Sequence, residues 1–355
     1  MSLGQGDAMM GPAGLLPTTL AAEDEAALTE LYRRGTPANT LRAWERDLAY
    51  ITAWKAAAFD APLVWPESER VALRFILDHS VDLAGGAANP ARQTAEALMA
   101  AGLRRSLDCP AAATLDRRIA SWRAFHRMKN LASPFEAPLV AQARIKARRA
   151  VARPRVPKSP RPITRAVLEQ VLASCDDSLR GLRDRAMLSL AFASGGRRRS
   201  EVVALYREDI ELGEFDAKGV IWLRLLDTKT TDRSAAPRLP LKGRAARALI
   251  GWIQATQIEE GPLFRPISRA GRVLPRRLAP DAMRVILRHR LQLAGLPADY
   301  ATAHGLRAGF LTQAALDGAP LAAAMQLSLH RSAIQAQRYY ADVEISDNPA
   351  TDLLG

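Results

Sequence analysis

Apolar residues recur every three to four positions through most of the chain, the period of amphipathic helices. Leu41, Trp44, Leu48 and Ile51 form one such stripe, with Arg42, Glu45, Arg46 and Asp47 on the other faces. The pattern predicts helices over 23–33, from Thr40 to a break at Pro62–Pro66, and over 67–79, 91–104 and 113–129. The last carries Leu115, Ile119, Trp122 and Phe125 on one face. This half shows no strand. Trp44, Trp54 and Trp122 read as core, and His126 as a packed residue without a chemical role.

In the second half, Thr164 can cap a helix to Ala173. Leu182 to Ser194 is apolar on nearly all sides and reads as a buried helix. Gly195-Gly196 interrupts it, and 197–205 resumes a helix. Val220 to Leu226 reads as a strand, Asp227 to Asp232 as a hairpin tip and Arg238 to Leu241 as a short return. Helices follow over 242–257, 280–294, 304–317, 320–326 and 332–341. The chain has no internal repeat, no Gly-rich phosphate loop and no metalloprotease motif.

Between the halves the character changes. Arg144, Lys146, Arg148, Arg149, Arg153, Arg155, Lys158, Arg161 and Arg165 meet no acid, and prolines stand at 154, 157, 160 and 162. Proline keeps the later part of such a stretch extended. The expected organisation is a flexible tail over 1–21, a helical domain over 22–145, a basic Pro-rich linker over 146–162 and a second domain over 163–355. That last domain is mostly helical with a small antiparallel sheet, so the fold class is mainly α.

Charge narrows the partner. Fifty basic against 37 acidic residues leave a net +13. Arginine over lysine reflects base composition in the gene as easily as function, but the excess of base over acid does not. A polyanion is expected, and duplex DNA leads, since no aromatic stacking motif of the common RNA modules appears. No apolar run is long enough to span a membrane. The first twenty residues lack the layout of a secretory signal, and Cys109 and Cys175 show no metal-ligand spacing, so a cytoplasmic location without a metal site is expected.

Candidate chemistry concentrates near the C-terminus. His304 and Arg307 share a helix face, and Leu329-His330 and Arg338-Tyr339-Tyr340 follow. On one continuous helix His330 and Tyr339 would stand about half a turn out of phase and roughly 13 Å apart. The chain must therefore bend if both serve one phosphate. Upstream lie Gly196-Arg-Arg198-Arg-Ser200-Glu201 and, at the hairpin tip, Lys229.

Taken in this order, the residues resemble the tyrosine recombinase, or phage integrase, family of site-specific DNA recombinases. The resemblance implies that Arg198 is the first arginine, Lys229 the hairpin lysine, His304 and Arg307 the His-X-X-Arg box, His330 the second histidine and Tyr339 the nucleophile. It likens the N-terminal half, with Thr40-Leu-Arg-Ala-Trp44, to a SAM-like core-binding domain, and 163–355 to the catalytic domain. Leu329 stands where the family usually has glycine, Arg197 and Arg199 stand where apolar residues are common, and Tyr340 is a second tyrosine beside the first.

The chemistry fits phosphoryl transfer. Attack by a phenol on a DNA phosphodiester builds negative charge on the non-bridging oxygens. Arg198 and Arg307 would clamp that charge and His330 would add a hydrogen bond. His304 would take the Tyr339 proton, and Lys229 would protonate the leaving 5′ oxygen. The product is a 3′-phosphotyrosine that conserves the bond energy, so neither ATP nor another cofactor is called for. Glu201, one turn from Arg198, is placed to orient it. Arg42, Arg144, Lys146, Arg148, Arg149, Arg153, Arg155 and Lys158 are expected along the DNA backbone. The resemblance also implies a homotetramer on two duplexes, with the acidic tail after Asp342 docking on a neighbour. Two other readings share the pattern: a type IB topoisomerase-like relaxing enzyme, and a catalytically silent DNA-binding relic.

Overall fold

The computed structural model describes residues 16, 20–85, 89–152, 158–225, 237–330 and 332–344. The chain divides into two compact units, Met1–Arg155 and Val156–Gly355.

The first unit is helical: α1 (Ala22–Gly35), α2 (Ala38–Phe59), α3 (Glu69–Asp78), α4 (Pro90–Ala100), α5 (Ala112–Met128) and α6 (Pro138–Ala150). Ser68 caps α3 by accepting the Val71 N–H, and Asn89-Pro90 opens α4 in the same way. The apolar stripes of α2, α3 and α5 meet in an aromatic core. Trp54 meets Phe75 edge-on at 4.8 Å, and Phe75 meets Trp122 at 5.3 Å. Such pairs add about 0.5–1.5 kcal/mol each beyond their burial. His126 is fully buried and donates from Nδ1 to Trp122 O.

Two expectations need correcting here. Lys146, Arg148 and Arg149 belong to the last turns of α6, not to an extended linker. Proline is absent between Pro138 and Pro154, and alanine and arginine are strong helix formers. Leu16 and Leu20, within the expected tail, pack on the aromatic core, because apolar side chains gain by leaving water.

The second unit comprises α7 (Arg165–Ala173), α8 (Leu179–Ala193), α9 (Arg199–Ala204), β1 (Ile210–Glu211), α10 (Phe215–Lys218), β2 (Val220–Arg224), β3 (Arg238–Lys242), α11 (Gly243–Thr256), α12 (Pro280–Leu293), α13 (His304–Leu316), α14 (Leu321–Ser328) and α15 (Ala333–Glu344). The sheet runs β1-β2-β3, antiparallel throughout, with Val220 opposite Lys242 and Arg224 opposite Arg238. Pro240 is tolerated because β3 is an edge strand. The two-residue β1 and single-turn α10 carry no periodicity and escape the sequence pattern.

Helix α8 is the hub. Ala186, Met187, Leu188, Leu190 and Ala191 are completely buried beneath α7, α9, α11 and α13. Residues 158–163 are tethered to the second unit, with Ser159 and Ile163 buried and Lys158, Pro160 and Arg161 exposed. They lie across the first turns of α13, where the Ile163 N–H donates to Gly305 O at 2.9 Å and the Thr302 N–H to Ser159 Oγ at 2.9 Å. Glycine on α13 makes this approach possible, since a Cβ at Gly305 would lie 2.8 Å from Ser159 Oγ and one at Gly309 would collide with Ile163 O.

Candidate active site

The site forms where the α8–α9 junction, the start of α13, the end of α14 and helix α15 converge. The junction turns on Gly195 (φ +95°) and Gly196 (φ +68°), a conformation that costs other residues dearly. Space matters as much as φ. A Cβ on Gly195 would run into Leu327 O and one on Gly196 into Arg307 Cα. The two glycines thus let the arginine-bearing loop touch the backbones that carry Arg307 and His330.

Beyond the turn, the three successive arginines part company. Arg198 is half-exposed, its Nη1 donating to Glu201 Oε1 at 2.5 Å while its backbone N–H donates to Oε2 at 3.1 Å. Glu201 itself is buried. Arg197 is the inward one, 1% exposed, with Nη2 donating to Leu327 O at 2.9 Å. Arg199 points away to Asp281.

At the start of α13, His304 sets Nε2 3.3 Å from the Tyr339 hydroxyl. One turn on, Arg307 is buried and donates from Nη1 to Gly196 O at 3.1 Å. Its other edge meets His330, with Nε 3.2 Å from Nε2 and Nη2 3.1 Å from Nδ1. Ser328 Oγ lies 2.7 Å from the same Nδ1. A neutral imidazole has one bare nitrogen and arginine only donates. Only one ring nitrogen can accept: either Nε2 accepts from Arg307 Nε while Nδ1–H donates to Ser328 Oγ, or Nδ1 accepts from Arg307 Nη2 and the Ser328 hydroxyl. Helix α14 ends at Leu329, which holds φ +52° although it is not glycine. That left-handed residue ends α14 just before His330, and α15 begins only at Ala333, so His330 and Tyr339 do not share a helix. Tyr340 faces away, donating from its hydroxyl to Ala319 O within an apolar cluster with Leu311 and Ala324.

Residues 161–344, just over half of the chain, match the phage integrase family. The chain belongs to this family. Among curated relatives, an integrase/recombinase xerD homolog of Selenomonas ruminantium is 34% identical over 170 residues, 46% of this chain and 48% of that protein. Tyrosine recombinase XerD of Xanthomonas axonopodis pv. citri (strain 306) is 30% identical over 201 residues, 52% of this chain and 60% of that protein. The chain spans about half the length of the curated relatives it matches. Among solved structures, the Tn1549 transposon integrase in complex with transposon right-end DNA has 15% identity and a TM-score of 0.55, covering 90% of this chain and 97% of that one. A λ integrase dimer bound to a COC′ core site has 15% identity and a TM-score of 0.52, covering 90% and 95%. At these identities the likeness is one of fold.

In this integrase-family site the electrostatics follow from burial and crowded cations. His304 is pushed down to about 4, first by burial and then by Lys158, Arg307 and Arg198. His330 is pushed down to about 4 by burial and by Arg307, Arg198 and Arg197. Arg307 falls to about 10, through burial and the neighbouring Arg197 and Arg198. At neutral pH both histidines are therefore uncharged, and His304 can accept a proton.

Of the residues singled out in the sequence, Arg198, Glu201, His304, Arg307, His330 and Tyr339 come together. Lys229, Arg153, Arg155 and the tail after Glu344 lie outside the described residues. Arg42 and Arg144 are engaged locally, Arg42 with Asn39 and Arg144 with Asp116, whereas Lys146 and Arg149 are exposed on α6 and Lys158 is exposed near His304. Arg148 also reaches Asp116, at 3.7 Å. Sequence reasoning missed Arg197, Ser328 and the packing role of Gly195-Gly196. Only the positions of one arginine, one serine and two glycines beside recognised motif residues could have flagged them.

Proposed function

We propose that this chain is a site-specific recombinase that cleaves and rejoins duplex DNA through a 3′-phosphotyrosine at Tyr339. The observation that carries this reading is the neutral His304 set 3.3 Å from the Tyr339 hydroxyl, beside the Arg307 guanidinium. A phenol next to an uncharged base is poised to lose its proton as it attacks phosphorus. Arg198 and Arg307 bind the non-bridging oxygens, where charge grows in the transition state, and His330 adds one hydrogen bond. Glu201 holds Arg198 in place. Lys229 protonates the departing 5′ oxygen, an assignment supported by its order in the sequence. The 5′ hydroxyl of a second duplex then reverses the reaction and joins the strands. The helices of 22–145, with the basic run from Arg144 to Lys158, bind the duplex together with the catalytic unit, and four protomers act on two sites.

A selection finds the target sequence and tests the chemistry together. A randomised duplex library is incubated with the protein and denatured in SDS, and DNA that stays on protein is sequenced. Enriched sequences with an adduct mapping to Tyr339, lost in Tyr339→Phe, are expected. Retention that survives Tyr339→Phe, or none at all, overturns the reading. A plasmid carrying two selected sites then distinguishes recombination from the mere relaxation of a topoisomerase.

A further inference from the structure

His330 is held by a residue outside the recognised motif. Its Nδ1 lies 2.7 Å from Ser328 Oγ, and Ser328 is completely buried. The segment carrying both is pinned from behind. Arg197 donates to Leu327 O at 2.9 Å, and Gly195 lets its backbone press on Leu327 and Ser328. Leu329 then turns the chain in the left-handed region, so the side chains on either side of it meet.

The choice of a hydroxyl has a consequence. In the DNA-free site Arg307 sets a donor against each ring nitrogen, Nε 3.2 Å from Nε2 and Nη2 3.1 Å from Nδ1; where Nε2 accepts, Nδ1 carries the proton and donates to Ser328 Oγ. To donate to a phosphate oxygen, Nε2 must instead carry the proton and Nδ1 must be bare. A carbonyl or carboxylate beside Nδ1 would accept from the first tautomer only. A serine hydroxyl accepts from Nδ1–H in the first and donates to Nδ1 in the second. The weak contact of Ser328 Oγ with Met325 O, at 3.5 Å, leaves the hydroxyl able to rotate.

We propose that Ser328 is a positioning residue that anchors His330 in both tautomers, allowing Nε2 to change from acceptor of Arg307 to donor toward the DNA phosphate. In the exchange Nδ1 releases a proton to water and Nε2 takes one up, so the ring stays neutral. The catalytic half of this statement rests on the recombinase reading. The DNA-free half does not.

Two measurements test it. The chain has five histidines, few enough for long-range nitrogen–proton spectra of ring-labelled protein to resolve each ring. The His330 ring, identified by its loss in His330→Ala, is expected to carry its proton on Nδ1 in the DNA-free wild type. Ser328→Ala removes the acceptor beside Nδ1 and leaves a donor, Arg307 Nη2, facing it, so the proton is expected to shift toward Nε2. An unchanged tautomer in Ser328→Ala overturns the proposal, whatever the protein does to DNA. The second measurement is single-turnover adduct formation on a nicked duplex carrying a selected library sequence. Ser328→Ala is expected to slow it about tenfold, the worth of one net hydrogen bond, with duplex affinity unchanged. In the His330→Ala background, adding Ser328→Ala is expected to cost nothing more. Equal slowing in both backgrounds would make Ser328 structural and sink the proposal. If the wild type forms no adduct, the recombinase reading fails while the tautomer measurement still decides the role of Ser328.

Discussion

The contact between Gly196 and Arg307 can be broken by one methyl group. An alanine Cβ at 196 would overlap Arg307 Cα and lie 3.0 Å from Arg307 Cβ and 3.2 Å from Cγ, closer than packed atoms settle. The two backbones would have to part by roughly an ångström to recover ordinary contact distances. Gly196→Ala carries two costs. The positive φ costs about 1–2 kcal/mol, partly offset by about 0.4–1 kcal/mol from the stiffer unfolded chain. Overpacking against backbone adds about 1–3 kcal/mol. The expected loss of stability is thus about 2–4 kcal/mol. Gly219 supplies the control, for it has φ +65° and nothing within 4 Å of an added Cβ. Gly219→Ala should cost about 1 kcal/mol or less, from φ alone. Denaturant titration of both variants isolates the collision as the difference between them. Because Arg307 moves with its backbone, adduct formation in Gly196→Ala should also fall on the order of a hundredfold, the usual penalty for an ångström of misplacement. Equal stability losses in the two variants, with adduct formation intact in Gly196→Ala, would refute the claim that this contact sets the arginine clamp.

Gly309→Ala should destabilise the protein, although alanine is the better helix former by about 1 kcal/mol, because its Cβ meets Ile163 O; a stabilised variant in a denaturant titration would show that residues 158–163 do not pack there. Acid should weaken the fold. His79, His304 and His330 are held at about 3, about 4 and about 4, below the ordinary 6.5, so the unfolded chain binds more protons between those values and 6.5. Their contribution is complete above pH 6.5 and is lost as pH falls toward 4, so denaturant midpoints should drop from pH 7 to pH 5; a flat or rising profile would contradict the buried neutral state. For the same reason, the second-order rate of adduct formation should show no inflection near pH 6.5 on its acid side, and a limb centred there would mean that His304 is solvated in the free protein.

Much of this was legible in the sequence, for identifiable reasons. The stripe of Leu115, Ile119, Trp122 and Phe125 recurs with the helical period and forms core. The all-apolar stretch from Leu182 is the buried hub helix α8. That His330 and Tyr339 cannot share one continuous helix followed from helix geometry alone, but the left-handed stop that ends α14 before His330 did not. Leucine seldom adopts φ +52°, and only the packing around Leu329 enforces it. Helix α6 hid behind its own charge, since a run of arginines with few large apolar residues leaves no stripe, yet alanine and arginine favour the helix and Val140 and Ala147 are buried. Arg197 was opaque for another reason. Three successive arginines are equivalent on paper, and only the fold sends one of them to the Leu327 carbonyl.

The arrangement of charge explains why such a site is built before its substrate arrives. Among the described residues, Arg197, Arg198 and Arg307 crowd around one nearby carboxylate, Glu201, and burial raises the cost of leaving them unneutralised. The free protein limits that cost by keeping both histidines uncharged, while Arg307, lowered to about 10, stays charged. Rigid backbone contacts, through Gly195, Gly196 and the Leu327 carbonyl, stop the Arg197 and Arg307 guanidiniums from swinging out to water instead. In the proposed reaction a phosphodiester entering this site would bring the missing negative charge, and its transition state would bring more. The clamp would then gain most at the moment the charge is largest, without reorganising, which is the condition for electrostatic catalysis. A flexible arrangement with solvated arginines would relax around the ground state and lose that advantage.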